Sequence, residues 1–126
     1  YLISLSMKPY QDARVEGEKL AKQYAELEQA DQVDFYNGLE GYYSVLGHNK
    51  KQEAIAVLIE KNDHKIYVYQ LDKGISQDKA AAISREKGAS DIDKVTFGRY
   101  QDKPIWEVKS GNQYYLVDFE TGAVIQ

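Results

Sequence analysis

The 126-residue chain has no cysteine, two prolines, one methionine and two histidines. The absence of cysteine excludes a disulfide framework, a thiolate metal site and a thiol nucleophile. His48 and His64 fall in expected loops or turns, so a serine nucleophile has no placed base, and no H-E-x-x-H pattern offers metal ligands. Nine glycines are spread singly along the chain, mostly in expected turns, which leaves no glycine-rich loop to cradle a phosphate. Sixteen basic residues against twenty acidic ones give a net charge of -4, without the basic stripe that nucleic-acid binding needs. No run reaches the roughly 20 apolar residues that cross a bilayer. No catalytic, cofactor-binding or metal site is therefore expected, and the protein is expected to work by binding.

The chain opens YLISLSMKPY, without an initiator methionine and with an apolar start. Pro9 suits the first turn of a helix, and Ala13, Gly17, Leu20, Tyr24 and Leu27 recur at spacings of three and four. This predicts an amphipathic helix from Pro9 to about Ala30, roughly 33 Å long. From Asp31 the pattern changes to period two, with Val33 and Phe35 before Asn37-Gly38, Tyr43 and Val45 before Gly47, then EAIAVLIEKNDHKIYVYQL. With Asn62-Asp63 as a tight turn, Ile59 faces Ile66, Val57 faces Val68 and Glu60 meets Lys65.

Asp72-Lys73-Gly74 breaks the strand, and a second helix follows. Ser76 is placed to cap it, Asp78 suits its positive first turn and Gly88 ends it. Beyond it, PIWEVKSGNQYYLVDFETGAVIQ reads as a meander. A type II′ turn at Gly111-Asn112 sets Val108 opposite Tyr115 and Trp106 opposite Val117 on one buried face. Glu107, Lys109, Tyr114 and Asp118 point the other way, towards solvent. Glu120-Thr121-Gly122 forms a three-residue loop, and Ala123 to Ile125 returns as a last strand. Helix then four strands occurs twice, which predicts an α+β fold of two tandem modules, residues 1–72 and 73–126, each one helix packed on an antiparallel β-meander.

These residues carry a resemblance. Ile75-Ser76, Asp78, Ala80, Ala81 and Ile83, then Trp106 to Val108, then Val117-Asp118, Thr121-Gly122 and Val124 are similar to a PepSY module. The tandem order behind an apolar start resembles the YpmB/TseB-like cell-wall elongation regulator family of Gram-positive bacteria. That resemblance implies cystatin-like modules outside the cell, a single N-terminal membrane anchor of which YLISLSM is the stub, and a penicillin-binding protein as partner. The first module departs from the PepSY pattern, because EAIAVLIEKND has no D-x-x-T-G turn. The competing binding function is inhibition of a protease in the manner of a propeptide, as PepSY segments suggest.

Candidate contacts come from the tyrosines, eleven in all. Tyr24 and Tyr115 fall on core positions by periodicity, while Tyr42, Tyr67, Tyr69, Tyr100 and Tyr114 do not. The register that buries Val57, Ile59, Ile66 and Val68 turns Ala56, Leu58, Tyr67 and Tyr69 to the opposite face. An apolar face there is expected to meet a protein partner through Leu58, Tyr67, Tyr69 and Tyr42, or to be packed between the modules. Glu107 and Asp118 share a polar face on adjacent strands, but their offset register argues against an acid–base pair.

Overall fold

A computed structural model describes residues 17–23, 25–38, 41–63 and 65–125. The expected helix start at Pro9, the anchor stub, Tyr24 and His64 lie outside the described residues. The chain divides into two compact units between Val68 and Tyr69.

In the first unit, helix α1 is described over residues 17–23. Strands β1 (Leu27–Asn37), β2 (Gly41–Asn49) and β3 (Ala54–Glu60) follow, and β4 (Ile66–Gln70) runs across the boundary after Val68; their spatial order is β1-β2-β3-β4. Pairing between β1, β2 and β3 is antiparallel, with Val33 opposite Val45 and Val45 opposite Val57. The expected hairpin register is present at its turn, where Glu60 N–H donates to the Lys65 carbonyl at 2.8 Å. Ala21, Ala25, Leu27, Val45, Ile55, Val57 and Ile59 form the core between helix and sheet, with Leu20, Val33, Tyr43 and Ile66 packed against it.

Two expectations for this unit are corrected. The helix does not continue to Ala30: Glu26 takes a left-handed φ of 58°, and β1 begins at Leu27. Leu27 keeps the helical spacing from Leu20 yet enters the same core from a strand, so the periodicity alone could not show the break. Val68, expected in the core beside Val57, is 48% exposed on β4, at the margin of the sheet.

The second unit contains a short 3₁₀ turn at Leu71–Lys73, helix α2 (Gln77–Glu86), and strands β5 (Lys94–Tyr100), β6 (Lys103–Ser110) and β7 (Gln113–Asp118). The strands form an antiparallel sheet in sequence order. Ser76 caps α2 as expected, its side chain accepting from Lys79 N–H at 3.0 Å. At the other end Gly88, with φ 115°, donates to the Arg85 carbonyl while Ala89 N–H reaches back to Ser84, the paired bonds of a Schellman motif. Val108 faces Tyr115 and Trp106 faces Val117, as the turn residues require. Gly111 has a positive φ of 62° and Asn112 does not, in keeping with glycine first in a type II′ turn.

The final expected strand is reduced to a single bridge between Val117 and Val124. The turn before it is built by Asp118, whose Oδ1 accepts from the N–H groups of Glu120 at 2.8 Å and Thr121 at 3.1 Å. Gly122, at φ 82°, closes it by donating to the Asp118 carbonyl. The face opposite α2 is less polar than alternation suggested. Tyr114 and Lys109 are exposed there, but Ile105, Leu116 and Asp118 are buried and Glu107 is half-buried.

Candidate partner-binding face

On the side of the first sheet away from the core cluster, register places Tyr36 opposite Tyr42, Tyr42 opposite Glu60, and Ser44 between Asp34 and Leu58. The aromatic rings meet in series: Tyr36 and Tyr42 lie 6.4 Å apart between centroids, and Tyr42 and Tyr67 meet edge-on at 6.3 Å. Such edge contacts set the negative face of one ring against the positive rim of another.

The structure brings Tyr42 and Tyr67 together and sets Leu58 on the same face. The face is not an open patch, however. Leu58 is fully buried, Tyr42 is 3% exposed, and Asp34, Tyr36, Ser44, Ala56 and Glu60 are buried beside them. As surface contacts, Leu58 and Tyr42 are therefore corrected: neither offers area to a partner in this conformation. Alternation along a strand tells which side a residue takes but not whether that side is covered. Tyr67 is half-buried and retains accessible surface.

Tyr69 belongs to the second unit and is held there by two contacts. Its ring lies 5.7 Å from that of Phe97, and its hydroxyl accepts from Arg99 Nε at 3.2 Å. Arg99 also reaches the Asp102 carboxylate at 3.3 Å. Tyr69 is half-buried, with its ring used in packing.

The polar residues weighed for chemistry are not arranged for it. Glu107 stands opposite Leu116 and Asp118 opposite Ile105, and the Asp118 carboxylate is occupied by its own turn. Burial pushes the Glu107 carboxyl above its ordinary value, against the opposing pull of Lys94. His48 lies in β2, not in a loop, with Nδ1 2.8 Å from Asp31 Oδ2. Among the described residues, no cluster of three or more His, Asp or Glu side chains could hold a metal ion. Also among them, no helix is long and apolar enough to cross a membrane. The buried carboxylates Asp34 and Glu60 on the tyrosine face were missed in the sequence; their parity with Tyr36 and Tyr42 is the signal that could have found them.

Comparison with known proteins agrees with this architecture. The family model for the cell wall elongation regulator TseB-like domain matches residues 16–60. The probable cell wall elongation regulator TseB of Bacillus subtilis (strain 168) is 38% identical over 114 residues, which cover 84% of this chain and 70% of that protein. The solved structure of the YpmB protein from Bacillus subtilis is similar with a TM-score of 0.74 and 34% identity, covering 88% of this chain and 92% of that one. The chain thus belongs to the YpmB/TseB family of cell wall elongation regulators, with the α+β fold of antiparallel sheets seen in YpmB.

Proposed function

We propose that the protein is a non-catalytic regulator of cell wall elongation that acts outside the cytoplasm as an adaptor on a penicillin-binding protein. The supporting observation is the 38% identity to a probable cell wall elongation regulator over most of this chain. The two units, taken as residues 1–72 and 73–126, serve as tandem PepSY-like, cystatin-like binding modules, and a single N-terminal anchor holds them to the cell membrane. Binding without chemistry suits carboxylates committed to a turn and to a strand pair, as those of Asp118 and Asp31 are. The partner contacts Tyr67, whose ring is set by Tyr42, and Tyr69 two residues further along β4.

Affinity capture from Gram-positive membranes with the intact anchored protein tests this reading. Recovery of a penicillin-binding protein, lost when the bait is unfolded beforehand, is the expected result. Recovery of a protease whose activity the purified protein suppresses would replace the adaptor by a propeptide-like inhibitor.

A further inference from the structure

Asn37 ends β1, is exposed, and is followed directly by the exposed Gly38. Of the four asparagines, Asn37, Asn49, Asn62 and Asn112, it alone precedes glycine. That sequence matters because a side chain on the following residue shields its backbone nitrogen, and glycine has none. The asparagines also differ in freedom. Asn49 is clamped through both ends of its amide: Nδ2 donates to Glu53 Oε1 at 2.9 Å, and Oδ1 accepts from the N–H groups of Lys51 at 3.0 Å and Glu53 at 2.9 Å. The Asn37 side chain makes no hydrogen bond among the described residues. Gly38 is in turn fixed by packing, since a Cβ there would lie 2.6 Å from atoms of the Tyr36 ring and hydroxyl.

We propose that Asn37 is a site of spontaneous deamidation. The Gly38 backbone nitrogen, giving up its proton to water or hydroxide, bonds to Asn37 Cγ; the Cγ–Nδ2 bond breaks, and the amide leaves as ammonia after taking up a proton. The resulting five-membered succinimide is opened by water at either carbonyl. One opening gives aspartate, the other isoaspartate, in which the main chain runs through Cβ. No oxidant is needed, and water is the sole co-reactant. Either product adds one negative charge to a chain of net charge -4. The isoaspartyl product also inserts one atom into the backbone at the Asn37–Gly41 pair, the last rung of the β1–β2 ladder, next to buried Tyr36. This inference is independent of the adaptor reading.

Ageing the intact protein in mildly alkaline buffer, followed by proteolysis and mass spectrometry, tests it. The peptide containing Asn37 is expected to gain about 1 Da ahead of those containing Asn62 and Asn112, with a more acidic form of the whole protein accumulating in step. Asn37→Gln, which would need a larger ring to close, is expected to lose both changes. Deamidation led by Asn62 or Asn112, or an acidic form that accumulates equally in Asn37→Gln, would overturn the assignment.

Discussion

The indole Nε1 of Trp106 donates to the carbonyl of Ile75 across 3.0 Å, tying the middle strand of the second sheet to the segment that leads into α2. The ring is 1% exposed and stands edge-on to Phe97 at 4.9 Å, with Phe119 6.4 Å away. Trp106→Ala removes the centre of this cluster and is expected to cost about 3–5 kcal/mol. Trp106→Phe keeps a ring but strips the Ile75 carbonyl of its donor, for about 1–3 kcal/mol. Urea titration checks both; an alanine loss under about 1 kcal/mol would mean that the cluster does not support the unit.

Two glycines separate space from backbone conformation. At Gly47, opposite Ala30 in the bulged stretch of β1, a Cβ would sit 2.0 Å from the Gln29 carbonyl oxygen. Gly47→Ala must push two strands apart, which is expected to cost about 1–3 kcal/mol or more. At Gly111 a Cβ would meet nothing within 4 Å, but φ is 62°. Gly111→Ala therefore carries only the left-handed penalty, about 1–2 kcal/mol, and Gly111→Asn is expected to recover part of it. Thermal denaturation that ranks Gly111→Asn below Gly111→Ala would contradict the conformational account.

Glu107 gives the stability a pH dependence of defined sign. Burial raises its pKa in the folded state, so between the ordinary carboxylate value and the raised one the folded protein holds more protons than the unfolded chain. Stability from this group falls as pH rises through that window, because the unfolded state releases its proton first. Glu107→Gln is expected to flatten the slope there and to be neutral or stabilising near neutrality. Lys94→Ala removes the opposing cation and is expected to widen the window. Denaturant midpoints across the acidic range measure both, and a midpoint for Glu107→Gln that keeps the parent's slope would remove Glu107 as the cause.

What could be read from the sequence follows from which residues act locally. Ser76, Gly88, Gly111 and Gly122 each fix a cap or turn through their own side chain or φ, and the registers of Trp106 with Val117 and Val108 with Tyr115 follow from those turns. The helix end could not be read, because Leu27 serves the same core as Leu20 from a strand and Glu26 carries no turn signature. Coverage was equally hidden. Period two put Leu58 and Tyr42 on one face and Ile105 and Leu116 on another, but nothing local says that these faces are dry.

That distinction decides how the tyrosine face is tested. Tyr42 and Tyr67 meet edge-on at 6.3 Å, yet only Tyr67 keeps part of its surface in water. Tyr42→Ala empties a buried site between Tyr36 and Tyr67 and is expected to cost about 3 kcal/mol or more of folding stability. Tyr67→Ala removes an edge-strand ring with solvent on one side, so the denaturant midpoint should move little. If Tyr67 anchors the partner, the same substitution weakens capture of a penicillin-binding protein by about 2 kcal/mol, and Tyr67→Phe, which keeps the ring, loses less. Tyr69→Ala opens the packing against Phe97 and Arg99 and should lower stability, which makes it a poor probe of docking. Undiminished capture by a folded Tyr67→Ala protein would remove this face as the docking surface, whereas a collapse of its stability would place Tyr67 with Tyr42 in the core.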